Sequence, residues 1–249
     1  FFFGAMPDQM NSQLDQGITA ADLSPDDLLS EADQKEISDF LAVLNAPGWA
    51  VASSCKKDGL KVLWKKEADH PVVLVKAEIK VMVPAMTAFN FLDGSDDTFE
   101  ARLKVIDKLC KAGRNVARRD AKHSVKWALF HLPPPLSNRD FVWSDLCTTL
   151  PDGSSLSIGK SVHHESCPEP KAKWLFGEVR GELRISGYYV VPAEEAGACT
   201  VHYVVQADLK GMLPVSIVNA LATDQGKNIR RMKEHLEAHT AKAHAATQA

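Results

Sequence analysis

The sequence has no run of about 18 consecutive apolar residues, which excludes a membrane-spanning helix. It has no basic excess, with 29 lysines and arginines against 32 acids and a net charge of −3, which argues against a dedicated nucleic-acid binder. C-x-x-C spacing is missing: the five cysteines, Cys55, Cys110, Cys147, Cys167 and Cys199, are odd in number and scattered. That excludes a disulfide frame and predicts five reduced thiols in a cytosolic setting, acting mostly as small apolar residues. G-x-S-x-G is absent, so no serine nucleophile elbow is expected. No repeat of fixed period is visible, against a propeller or solenoid. No regular strand–helix alternation appears, against a Rossmann sheet. A secretory leader is not evident either; Phe1 to Met6 read as an artificial leader and are set aside.

What remains is an ordinary globular composition. The chain has 249 residues, 45% hydrophobic and 24% charged, too apolar and too weakly charged for disorder and enough for one large domain or two small ones. Residues 7–24 are polar. Ser24-Pro25-Asp26-Asp27 suits a helix start, and Leu28 to Leu44 recur at helical spacing until Ala46-Pro47-Gly48. Trp49–Ala52 and Leu60–Trp64 flank Asp58-Gly59 as a hairpin. A strand over Val72–Val83 follows, then helices near Met86–Leu92 and Thr98–Leu109, with Gly113 read as a stop. Strands are expected near Val116–Arg119, His123–Phe130, Phe141–Leu150, Ser154–His164, Gly177–Val191 and Cys199–Asp208, joined by turns at Pro151–Gly153 and Pro192–Gly197. Hairpin-linked strands in series imply an antiparallel, curved sheet.

One long helix, about Leu213 to His239, is expected to close the chain. Its first half is apolar nearly all round, and its second half narrows to Ile229, Met232 and Leu236. A helix so greasy at one end needs more than a flat sheet to cover it. It fits a helix lying over a sheet that curls away, with something apolar between.

Three stretches then carry a resemblance. Pro133-Pro134-Pro135-Leu136-Ser137-Asn138-Arg139-Asp140-Phe141-Val142 is a proline-bearing loop followed by an R-D-F-V strand start. Gly177-Glu178-Val179-Arg180-Gly181-Glu182 precedes Gly187-Tyr188-Tyr189-Val190-Val191-Pro192. Thr200-Val201-His202-Tyr203 leads through Asp208-Leu209-Lys210-Gly211-Met212-Leu213-Pro214 into the terminal helix. In this order and spacing they resemble the START (steroidogenic acute regulatory protein-related lipid transfer) family, over about residues 25–240. The resemblance implies an α+β helix-grip fold: a curved antiparallel sheet around a hydrophobic tunnel, with the C-terminal helix as lid. Domain bounds follow: a flexible 1–24 segment, a lipid-binding domain over 25–240 and a flexible 241–249 tail.

The resemblance also implies a function: intracellular binding and transfer of one lipid by a monomer that touches membranes transiently, with no cofactor, metal or nucleic acid. The loop Leu132-Pro133-Pro134-Pro135-Leu136 would be the gate. The P-L-S-N-R-D-F-V run is nearest the phosphatidylcholine-transfer branch. Carried over from it, Arg102 matches the phosphate-binding arginine, and Trp127, Phe141 and Leu183 match the choline-cage positions, Leu183 departing as a non-aromatic. Val218 and Leu221 on the terminal helix would line the tunnel, and Arg180 reads as a surface or a tunnel group. The ligand expected is a glycerophospholipid; the alternatives are a sterol carrier or a helix-grip enzyme acting on a small hydrophobic substrate. Trp127 and Phe141 also fit plain core positions, and Arg102 a solvated face. Arg139 and Asp140 read as an internal ion pair. Arg114 to Lys126 read as a solvated basic face that could also dock on anionic headgroups. His163-His164-Glu165-Ser166-Cys167 offers ligand-type residues, yet adjacent strand histidines point to opposite faces, so no metal is expected.

Overall fold

The computed structural model describes residues 29–93, 97–134, 136–170, 177–211 and 213–247, with side chains up to 241. It opens with helix α1 (Glu31–Asn45), whose N-cap is Ser30. Ser30 and Asp33 form a capping box, each side chain bonded to the other's backbone N–H at 3.2 and 3.0 Å. The expected start at Ser24 lies outside the described residues, and Leu29 and Ser30 are not helical. Strands β1 (Ala50–Ser54), β2 (Lys61–Glu67) and β3 (His70–Val81) form a meander, and helices α2 (Ala85–Asp93) and α3 (Phe99–Ile106) follow Pro84. Then come β4 (Cys110–Arg118), β5 (His123–Phe130), β6 (Arg139–Thr149), β7 (Ser155–Ser161), β8 (Val179–Arg180), β9 (Glu182–Pro192) and β10 (Cys199–Asp208). Helices α4 (Val215–Gln225) and α5 (Asn228–Thr247) end the chain.

The main path of the sheet runs β1-β2-β3-β10-β9-β7-β6-β5-β4, with β8 beside β6. Every pair on that path is antiparallel. The sheet has an outer and an inner face. Ile37, Phe40, Leu41 and Leu44 of α1 pack on the outer face against Leu74, Leu146, Leu156 and Val204. β3 alternates: Val73, Val75, Ala77, Ile79 and Val81 line the inner face, against Ala222, Ile229, Met232 and Leu236 of the terminal helices.

Four expectations change. Gly113 is no stop; it lies inside β4, which starts at Cys110, and its N–H donates to Glu100 Oε2 at 3.1 Å. The strand expected over Gly177–Val191 is two, because β8 pairs in parallel with β6 before β9 begins. Gly181 marks the break, where a Cβ would stand 2.3 Å from Phe141 Cε1. The single terminal helix is also two, α4 and α5, divided at Gly226-Lys227. Gly226 presses against the sheet so closely that a Cβ there would meet Val62 Cγ1 at 2.7 Å. Lastly, Arg139 and Asp140 do not pair with each other. Arg139 donates to the carbonyls of Leu209, Ser137 and Lys210, while Asp140 faces the opposite side and pairs with Arg180.

Candidate functional site: an apolar cavity beneath the terminal helices

Between the inner face of the sheet and helices α2, α3 and α4 lies a cavity with about 1330 Å³ of empty space, counted out to its open mouth. Strand alternation decides which residues reach it. On β6, Arg139, Phe141, Trp143 and Asp145 face inward; on β5, Lys126 and Phe130 do. Val218, Leu221 and Ala222 of α4 form the cover, and Leu103 and Ile106 of α3 stand at one side. Tyr188 and Tyr203 stack across β9 and β10, ring centroids 4.7 Å apart, on the floor. Burial raises both phenols above their ordinary pKa, so they stay neutral.

This wall also carries a buried ion pair. Lys126 and Asp145 form an ion pair, with side chains only 3% and 4% exposed. They are diagonal neighbours, Lys126 opposite Trp143 and Asp145 opposite Ser124 in the β5–β6 ladder. The Asp145 carboxylate also accepts the Ser157 hydroxyl at 3.0 Å and the Cys147 thiol at 3.1 Å. Lys126 donates a second bond to the Asp93 carbonyl, and its Nζ lies 5.4 Å from the Phe99 ring centre. Burial alone would lower the Lys126 pKa, yet the adjacent Asp145 carboxylate more than offsets it, so the ammonium is held. Burial pushes the Cys147 thiol well up, which makes it inert. Among the described residues, the one group of potential metal ligands within reach of one another is Asp93, Asp145 and Cys147, and the Lys126 ammonium already bonds to two of those residues.

The sequence-predicted residues separate along the sheet's two faces. Arg102, Leu132, Phe141, Leu183, Val218 and Leu221 line the cavity. Arg102 donates from Nη1 to the Asn90 carbonyl, tying α3 to α2. Trp127 and Arg180 stand apart from the cavity. Trp127 alternates with Lys126 and so faces outward, its indole N–H donating to Asp140 Oδ2 at 2.9 Å and its ring lying 5.3 Å from the Arg114 guanidinium carbon. Arg180 grips Asp140 with two bonds, 3.0 and 2.9 Å, and also donates to the Cys167 and Pro168 carbonyls. Of the gate loop, Leu132 is buried, Leu136 packs on the same apolar cluster, Pro133 and Pro134 are exposed, and Pro135 lies outside the described residues.

Residues 28–242 match the START domain family. The chain belongs to it. Mouse and human START domain-containing protein 10 are each 27% identical to this START chain over 176 residues, which is 69% of the chain and 55% of either relative. The chain thus spans about half the length of the curated relatives it matches. Among solved structures, human STARD10 superposes with a TM-score of 0.71 at 23% identity, covering 89% of this chain and 86% of that one. Human StAR-related lipid transfer protein 5 gives 0.70 at 18%, covering 83% and 95%. These likenesses show the fold, and the helix-grip architecture expected from sequence stands. The Lys126–Asp145 pair is what sequence reasoning missed in this START domain. In the sequence Lys126 reads as part of a solvated basic run, and only its parity with Phe130 and the register of β6 place it inside.

Proposed function

We propose that this START domain binds one lipid in the cavity and carries it between membranes. The observation that supports the reading most is the mainly apolar hollow under α4. Lipid chains cost about 0.8 kcal/mol per exposed CH₂ in water, so carriage of a monomer requires such a dry space. The name of the similar StAR-related lipid transfer protein 5 points the same way. Polar groups on the wall then set head-group preference. Arg102 at one side suits a phosphate, which supports a glycerophospholipid. The choline cage is reduced to Phe141, since Trp127 faces outward and Leu183 is aliphatic, so selectivity for a quaternary ammonium is not expected.

A sterol is the second reading, favoured by one observation. The Lys126–Asp145 pair is neutral as a whole and lies on the cavity wall, where a single hydroxyl could bond. We read the protein as a carrier and not as an enzyme, and place it in a reducing compartment on its five free thiols. Membrane contact is proposed through the first turn of α4, where Val215 and Ile217 are 45% and 41% exposed. The test uses donor vesicles carrying fluorescent phospholipid or fluorescent sterol, with unlabelled acceptors. Transfer of the phospholipid supports the main reading and transfer of the sterol alone the second. Transfer of neither, or turnover of a bound ester, would overturn the carrier reading.

A further inference from the structure

A second concave feature lies on the outer side of the seam between α3 and α5. Lys108, Lys227, Arg230, Arg231 and His235 line it, with Glu234 as the one carboxylate. Four permanent cations against a single acid reverse the sign of a chain whose net charge is −3. In the basic run Arg114–Lys126, Arg114, Arg118 and Arg119 are exposed, as the sequence leads one to expect, whereas Lys126 is inside.

The donors in the groove are only partly used. Arg230 bonds to Asp58 through Nε, and Arg231 donates from Nη1 to the Ile106 carbonyl at 3.1 Å. Arg231 Nη1 also reaches Asn228 Oδ1 at 3.4 Å, and the planar geometry of both guanidinium groups suits two phosphate oxygens. Lys227 holds Asp224 at 2.6 Å in a pair that is half exposed on both sides and readily exchanged. Lys108 is exposed and makes no ion pair among the described residues. Ala238 is the one apolar residue of the lining, so nothing there would seat a hydrophobic peptide.

Position completes the argument. Asp107 and Asn228 line the lipid cavity, while their chain neighbours Lys108 and Lys227 line the groove. Ile106 lines the cavity too, and its carbonyl is held by Arg231 from the groove. The two sites share one wall. We propose that this groove docks the protein on membranes bearing phosphate-monoester headgroups, with Arg230 and Arg231 as the phosphate fork and Lys108 and Lys227 as flanking charges. The proposal rests on the carrier reading for its purpose, since docking there sets the α3–α5 wall of the cavity against the bilayer.

The test is co-sedimentation of the full chain with three vesicle types: phosphatidylcholine alone, phosphatidylcholine with phosphatidylserine, and phosphatidylcholine with phosphatidate at equal surface charge. Binding should be strongest to phosphatidate and should fall about tenfold or more in Lys108→Glu/Lys227→Glu, whose side chains are exposed. Lys35→Glu/Lys66→Glu, remote from the groove, should retain it. Equal binding to phosphatidylserine and phosphatidate, or equal loss in the two double variants, would overturn the proposal. Millimolar inorganic phosphate should leave vesicle binding in place; full displacement by it would assign the groove to a soluble phosphate and overturn the membrane source. Cargo occupancy of the groove variant, read by native mass spectrometry, should match the parent. Groove-dependent docking without any lipid transfer would sink the carrier reading alone, and transfer without groove-dependent docking would sink this proposal alone.

Discussion

Lys126 and Asp145 show how much one residue's surroundings decide. A buried ion pair gives back in Coulomb attraction little more than it costs in desolvation, whereas removing one partner strands the other. Asp145→Asn should therefore destabilise the domain by about 3–5 kcal/mol. The double change Lys126→Met/Asp145→Leu should bring thermal stability back near the parent, and a double variant as unstable as the single one would contradict this account. Arg102 makes a complementary prediction: Arg102→Ala should weaken phospholipid binding more than it lowers the melting temperature. Equal losses would leave Arg102 as a brace between α2 and α3. Neither role is legible from the residue type alone. Lys126 sits in a stretch with Arg114, Arg118, Arg119 and Lys122 that reads as solvated, and its partner lies 19 positions away on the next strand. Trp127 is the mirror case, an aromatic at a matched family position that strand parity turns to the outer face with Asp140 and Arg180.

At the scale of elements, most of the layout follows from local chemistry. β5 and β10 fall where alternation and flanking turns place them, and α2 and α3 lie near their expected bounds. The departures all arise from contacts remote in sequence. Gly226 divides α4 from α5 because it lies against Val62 and Val75 on the sheet, a contact that helical periodicity cannot reveal. Gly226→Ala should lower the melting temperature, since its Cβ would press on Val62; an unchanged melt would show that α4 can lift without cost. Leu221→Asp places a charge on the cavity roof and should abolish vesicle-to-vesicle transfer while the fold, followed by circular dichroism, persists. Unchanged transfer would count against α4 as the cover. The tether between the β1–β2 turn and α5 is electrostatic. Burial would raise the Asp58 pKa, but the Leu60 N–H, the Cys55 thiol and the Arg230 guanidinium outweigh it and bring the carboxyl down to about 2. A carboxyl lowered by folding stabilises the folded state above its ordinary value near 3.8, and that contribution fades as the pH falls toward 2. Asp58→Asn should therefore flatten the loss of stability between about pH 4 and pH 2 in acid titrations; a parent-like curve would remove Asp58 from the account.

Among the described residues the molecule is a ten-stranded sheet with one helix on its outer face and four on its inner side. Part of its outer face packs against α1 through apolar contacts, and the hollow lies on the inner side. The apolar excess in the first half of the terminal helix, visible in the sequence, is explained by that hollow: Val218, Leu221 and Ala222 face open space. What the amino-acid pattern could not reveal is the polarity of the hollow and the cationic groove behind its wall, both of which depend on side chains brought together from different strands and helices. The central claim is that this space holds one lipid molecule. Native mass spectrometry of protein purified from cells, followed by extraction of whatever is bound, tests it most directly. The account predicts a single added mass of one lipid per chain, absent in Leu221→Asp; protein that is uniformly empty under conditions preserving its fold, and that takes up neither phospholipid nor sterol from vesicles, would contradict it.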